Sequence, residues 1–421
     1  MDSSSVRRAL SRRTLLAGLG ATIPLAALSA CGGSSGGGGG GGSAASSTLY
    51  TWISNENDRA QWQAFIDSAT AKDPDFQLEL EGPSFEDYWT KVKTRMSTGD
   101  APSLLTTQAA RAQELDALLA PLDDLAEQAG IDLSTYNQAM IAGMTVGGTV
   151  RAIPYDAEPM VLFYNRALFR EAGLEEPVDS YPMDRFLEDA KAMTSGDRYG
   201  LAISSGLVHL GLAIAFANGG APVVDEELTL TDPKVVEGIQ FGFDLVTEHQ
   251  VAKAPAAVDS EPAAQQDLMN GNVAMYLDGP WMYQAFADAL GDDLGVTVVP
   301  SESGEAKGLI QGSGFGIASN AEDPEAAFET LMAITTPEVI DDVANARGTF
   351  PSIVEQEARW AEGKNEDNVA AVTALAKNGV PLLTTTTWNE VMSQFGQYAT
   401  DGFRGNRDAA EILEQIQGAV G

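Results

Sequence analysis

Between Gly32 and Ser47 the chain carries only Gly, Ser and Ala. Sixteen such residues have nothing to bury, so they behave as a flexible coil with an r.m.s. reach of roughly 20 Å. This run fixes the organisation of everything around it. What precedes it is a short separate element, and the body from Thr48 to Gly421 must build its core without help from the first 47 residues.

The element before the run has the pattern of an export leader. Arg7, Arg8, Arg12 and Arg13 face a single acid, Asp2, and Leu15–Leu28 is uncharged and rich in Ala, Leu and Gly. A basic start, a short apolar stretch and small residues at the exit make a secretory signal. The apolar stretch is shorter than the roughly 20 residues a spanning helix needs, and Pro24 interrupts it. Leu28-Ser29-Ala30-Cys31 matches a bacterial lipobox, which predicts a diacylated Cys31 as the mature N-terminus, held at the extracytoplasmic face of the cell membrane. Ser11-Arg12-Arg13-Thr14-Leu15-Leu16 resembles a twin-arginine signal but lacks the usual Phe and Lys that follow, so twin-arginine and general export both stay open. The competing reading, a disordered basic tail before a buried helix, is disfavoured by the glycine run that follows at once.

Cys31 is the only cysteine, so the mature protein is expected to form no disulfide and no thiolate metal site. The formal charge is −35, and removal of residues 1–30 takes away four Arg and one Asp, leaving about −38. Nucleic-acid binding and charge-driven adhesion to anionic lipid are excluded on that balance.

In the body, strands and helices alternate. Thr48–Ile53 reads as a strand, followed by a helix capped at Asn57 or Asp58 with Trp62, Phe65, Ile66 and Ala69 on one face. Phe76, Leu78 and Leu80 alternate as in a strand, and a helix from Ser84 to Gly99 carries Phe85, Tyr88, Trp89, Val92 and Met96 on one apolar stripe. A strand over 102–106 and a helix over 111–119 come next. Further strands are expected over 160–164, 199–203, 273–277, 295–299 and 314–318, and helices over 166–172, 183–193, 367–377, 388–403 and 407–417, with another from Pro280. Asp232-Pro233, Asp323-Pro324 and Thr336-Pro337 each put a capping side chain before a proline at the first helical position. The alternation predicts α/β layers. With no composition break, any division into domains must interleave.

Several segments then fall into a recognisable order: Tyr88-Trp89-Thr90-Lys91 with Gly99-Asp100-Ala101-Pro102; Ile153-Pro154-Tyr155-Asp156; Leu162–Phe169; Met269–Met275 before Gly279-Pro280-Trp281; Gly314-Phe315-Gly316-Ile317; and Gly348-Thr349-Phe350-Pro351. Together they resemble the extracellular solute-binding proteins of family 1, the maltose/oligosaccharide-binding group that serves ABC importers. The resemblance implies an α/β fold of two interleaved lobes joined by a multi-strand hinge, closing on a ligand in the cleft. It places the first lobe at 48–155 with 313–349 and the second at 156–312 with 350–421. It also implies no enzymatic activity, no cofactor, a sugar ligand, a monomer, and docking on the transmembrane subunits of an ABC permease. The family usually has Asp before the apolar pair of the loop at 100–105 and an aromatic soon after; Ser103, Thr106 and Thr107 stand there instead.

A sugar offers polar edges and an apolar face of C–H groups, met by broad aromatic rings and by carboxylates and amides. Trp281, after Gly279-Pro280 at a strand end, is the first candidate for stacking, since the resemblance gives the matching Trp that role; a core position at a helix start is the alternative. Trp388, after the polar run Thr384–Thr387, divides between stacking and packing. Asp156, Glu158 and Tyr155 sit at the implied first crossover and divide between binding hydroxyls and hinge or surface roles. Glu56 and Asn57 follow the first strand at its carboxyl end, where α/β sheets bind ligands, and Asn55 is either a ligand contact or a turn residue. Gln108 follows the third strand in the same sense. His209, one of two histidines, and Arg347 complete the set. Trp52, Trp62 and Trp89 are expected in the core.

A glycosidase would need two cleft carboxylates at a set separation, which 60 acidic residues do not exclude. Nucleophile-elbow, zincin, Walker and dinucleotide motifs are absent, and two histidines leave little for metal or general-base work, so no metal is expected. The more serious alternative is the same fold binding glycerol phosphate or a polyol. Phosphate favours Arg or Lys in the cleft, and Arg347 is the one obvious candidate, which favours a neutral mono- or oligosaccharide.

Overall fold

The computed structural model describes residues 47–421, apart from 55, 99–100 and 257–259; for Asn57 and Leu210 it describes the backbone alone. The leader, the lipobox with Cys31, the linker up to residue 46, Asn55, Gly99 and Asp100 lie outside the described residues. No described helix is long and apolar enough to cross a membrane.

Two sheets organise the chain. The first runs in the order Leu78–Glu81, Ser47–Tyr50, Leu104–Gln108, Ser313–Ile317, Ile153–Pro154. Its first three strands are parallel, and Ser313–Ile317 is antiparallel to both of its neighbours. The second runs Leu294–Thr297, Val161–Asn165, Val273–Asp278, Tyr199–Leu201, with Val161–Asn165 antiparallel to the strands on either side. Helices cover both, and each sheet has its own apolar core. One core centres on Leu49, Trp62, Phe65, Trp89, Phe315 and Ile340; the other on Phe163, Phe186, Phe243, Phe286, Trp360 and Leu413. Early and late segments contribute to each, as the interleaved two-lobed reading requires.

Three segments run side by side between the sheets, and their backbones are laced together. The Tyr155 N–H donates to the Ser313 carbonyl at 3.0 Å, the Ala157 N–H to Phe350 at 2.9 Å, the Met160 N–H to Leu309 at 2.9 Å and the Ser352 N–H to Tyr155 at 3.2 Å. A three-stranded sheet, Gly379–Pro381, Gly308–Gln311 and Glu158–Pro159, continues this lacing towards the second sheet. A hinge of several bonded strands bends without letting either lobe twist freely.

Local chemistry explains the elements. Asp232, Asp323 and Thr336 each accept a backbone N–H of the helix they precede, from Lys234, Ala326 and Val339 respectively, with proline in the first turn as the sequence predicts. Helices Arg166–Ala172, Met183–Met193 and Trp388–Phe403 have the predicted bounds. Two expectations need correction. Instead of one helix over 111–119 there are three short turns, Ala109–Arg111, Ala112–Leu115 and Asp116–Leu118. The break falls where the buried Arg111 turns inward to Glu114 at 3.0 Å and lies 4.7 Å over the Trp89 ring. Second, Phe85 is not on the buried stripe of helix Phe85–Met96: as its first residue, before the stripe begins at Tyr88, it is 38% exposed.

Candidate functional site

The strand Val273–Asp278 ends at Asp278, and the chain turns at once through Gly279 into the short helical turn Pro280–Met282. This turn presents Trp281. Its ring lies flat against the Cα of Gly279: a Cβ there would fall 1.9 Å from Cζ3 and 2.3 Å from two more ring atoms. Glycine thus seats the ring, and the ring remains half-buried, packed on one side against the second core.

Asp278 is fully buried, with Oδ1 accepting the Gly279 N–H at 2.9 Å and Oδ2 accepting Gln265 Nε2 at 3.0 Å. Burial pushes its carboxyl up to about 7; His209 pulls the other way, and Glu261 adds to the rise. His209 stands edge-on to Trp281, with ring centroids 6.3 Å apart. Its Nε2 lies 3.4 Å from Glu261 Oε2 and 3.8 Å from Asp278 Oδ1. Trp281 is therefore flanked by a patch of His209, Glu261, Gln265 and Asp278. The sequence reading included only His209 and Trp281 of these. Asp278 was legible as the acid one place before the Gly-Pro-Trp turn; Glu261 and Gln265 are brought in by the tertiary packing of helix Ser260–Met269.

The hinge meets this patch. Glu158 Oε1 accepts the Phe350 N–H at 3.2 Å, and the Trp281 N–H also helps to hold its carboxyl down. Burial nevertheless raises Glu158 well above the ordinary carboxylate range, and Asp156 adds to the rise. Asp156 accepts the Ser313 N–H; burial pushes it up to about 8, against the pull of that N–H and of the Tyr155 hydroxyl. The two carboxyl groups thus tie the first crossing segment to the other two. Their contacts are those of hinge residues, and both side chains are buried. Tyr155 belongs to the first core, its ring stacked on Phe315 at 4.9 Å between centroids.

The other candidates are scattered. Trp388 is 1% exposed within the second core, so in this conformation its ring offers no face to a ligand. Glu56 is exposed in the first turn of helix Glu56–Lys72, 3.9 Å from Arg59 Nε. The side chain of Asn57, like Asn55, is outside the described residues. Gln108 is half-buried at the end of its strand, paired in register with Ser313. Arg347 closes helix Pro337–Arg347; burial lowers its guanidinium from the ordinary value, and Asp58 opposes that shift. Trp52, Trp62 and Trp89 are core residues, as expected. The exposed Phe85 meets Trp52 edge-on, centroids 5.3 Å apart, at the carboxyl end of the first strand. It is an aromatic of the first lobe that the helical stripe concealed.

The chain and its fold resemble known proteins. Residues 64–368 match the family model described as bacterial extracellular solute-binding protein. A maltooligosaccharide ABC transporter solute-binding lipoprotein of Streptococcus pneumoniae is 24% identical over 360 residues, covering 76% of this chain and 79% of that one. The diacetylchitobiose binding protein DasA of Streptomyces coelicolor is 22% identical over 429 residues, 97% of each. Among solved structures, an ABC substrate-binding protein of Listeria monocytogenes in complex with cycloalternan superposes with a TM-score of 0.79 at 21% identity, over 89% of this chain and 97% of that one. The Thermotoga maritima maltose-bound MalE3 gives 0.76 at 17% identity, over 89% and 98%. The fold is the two-lobed one these structures share, and the chain belongs to the bacterial extracellular solute-binding proteins.

Proposed function

We propose that this protein is the substrate-binding component of an ABC importer, held at the outer face of the cell membrane by a diacylated Cys31, and that it binds a neutral mono- or oligosaccharide between its lobes for delivery to a permease. The observation that carries the ligand class is Trp281, a half-buried ring seated on Gly279 beside carboxylates and an imidazole, which gives a stacking face next to hydroxyl partners. The names of the relatives, a maltooligosaccharide transporter component and a diacetylchitobiose binder, support the same class. The acidic surroundings of Trp281 disfavour a phosphate, and Asp58 already compensates Arg347, the one cation that favoured glycerol phosphate.

On this reading the first lobe comprises 48–155 with 313–349 and the second 156–312 with 350–421. Trp281 and Phe85 supply stacking faces, His209, Asp278 and Glu261 bind hydroxyls, and Asp156 and Glu158 hold the hinge. The protein acts as a monomer and turns over no substrate; the glycine linker keeps it within reach of the permease.

A thermal-shift screen against mono- and oligosaccharides, polyols and glycerol phosphates tests the ligand class. Ligand at 100 times its Kd adds about 2.7 kcal/mol of stability. A sugar is expected to raise the Tm, and Trp281→Ala to abolish that rise while leaving the unliganded melt cooperative. A rise with glycerol phosphate and none with any carbohydrate would overturn the proposal; protein-dependent consumption of the sugar would establish an enzyme instead.

A further inference from the structure

His209, Glu261 and Asp278 do more than flank Trp281. One ligand atom from each, the imidazole Nε2 and a carboxylate oxygen from each acid, lies within 4.8 Å of the other two. A four-coordinate ion with bonds of about 2.1 Å sets its ligand atoms about 3.4 Å apart. The His209–Glu261 separation is 3.4 Å and His209–Asp278 is 3.8 Å.

Hydrogen bonds around the triad orient its two acids; Asp278 Oδ1 accepts the Gly279 N–H at 2.9 Å and keeps a second lone pair. Gln265 donates through Nε2 to Glu261 Oε1 at 3.4 Å and to Asp278 Oδ2 at 3.0 Å. One amide therefore holds the outer oxygen of both acids, and the inner oxygens, Oε2 and Oδ1, face His209. Such outer partners are the usual means of orienting metal ligands. His209 Nε2 is buried and has no hydrogen-bond partner among the described residues. Tyr276 is 1% exposed, and its hydroxyl lies beside Ser204, where the charges of Asp278 and Glu261 both act on it. His209 itself stands in a single π-helical turn, Val208–Leu212, a rare conformation that recurs at functional sites.

We infer that His209, Glu261 and Asp278 form a binding site for one divalent cation of the zinc class, through Nε2, Oε2 and Oδ1, with a fourth coordination position open beside Trp281. One imidazole with two carboxylates is a donor set of borderline hardness, which suits such an ion. Three protein ligands leave room for a water or for a hydroxyl of a bound solute. Glu261 is 41% exposed and gives the ion a way in from solvent. The inference stands on this geometry and does not depend on the identity of the organic ligand.

The test uses purified protein stripped with a chelator, then titrated with zinc chloride by calorimetry, with bound metal measured by mass spectrometry after dialysis. One zinc per chain is expected. His209→Gln and Asp278→Asn should each weaken binding at least tenfold, and Gln265→Ala tenfold to a hundredfold. His249→Gln, which alters the other histidine, should leave stoichiometry and affinity unchanged. Cobalt substitution provides a readout independent of stability: the visible bands of a nitrogen- and oxygen-ligated low-coordinate ion are expected, and lost in His209→Gln. Uptake below a tenth of an equivalent, or zinc binding and cobalt bands that survive His209→Gln, would overturn the assignment.

Discussion

Replacing Asp156 with Asn should change the pH dependence of stability in a direction opposite to that of an ordinary carboxylate. Burial pushes the Asp156 carboxyl from its usual 3.8 to about 8, and the neighbouring Glu158 is raised well above its own ordinary value. Between about pH 5 and 7 the folded protein holds a proton on Asp156, whereas the unfolded chain has released it. The unfolded state binds fewer protons, so stability falls as pH rises through this window, by about 1.4 kcal/mol per pH unit for this group. The Asp156→Asn side chain keeps the oxygen that accepts the Ser313 N–H and nearly the same shape, but cannot ionise. The variant should therefore lose at least one proton's share of the slope, about 2.7 kcal/mol between pH 5 and 7. Urea unfolding followed by tryptophan fluorescence at pH 5, 6 and 7 reads this directly. Slopes for Asp156→Asn and wild type that agree to within about 0.5 kcal/mol over the range, against the 2.7 expected, would refute the claim that Asp156 is held protonated at the hinge.

Further outcomes follow from single contacts. Gly279→Ala puts a methyl 1.9 Å from the Trp281 ring, so the ring must leave its seat; sugar affinity is expected to fall tenfold or more by calorimetry, and unchanged affinity would remove the seating role. Trp360 is buried and its Nε1 donates to the Gly348 carbonyl at 2.9 Å, beside the third hinge segment. Trp360→Phe strands that carbonyl and leaves a void, which should lower the unfolding free energy by about 1–3 kcal/mol in urea titrations.

The strand–helix alternation and the three proline-capped helix starts were legible in the sequence because they rest on local rules, periodicity, capping and the fixed φ of proline, whereas the two-lobed arrangement was legible only through the family resemblance. Trp281 stood out in the sequence by its place after Gly279-Pro280 at a strand end and by the family resemblance, while its seat against Gly279 is visible only in the structure. Long-range pairing was not legible. That Asp156 and Glu158 hold the hinge depends on Ser313 and Phe350, 157 and 192 residues away, offering their N–H groups at the right place. Phe85 reads as core on a helical wheel, yet its position at the first turn exposes it beside Trp52. The gathering of His209, Glu261 and Asp278 belongs to the same category. Each is an ordinary polar residue in its own segment, and only the packing of the π turn, helix Ser260–Met269 and strand Val273–Asp278 brings their ligand atoms within reach of one ion.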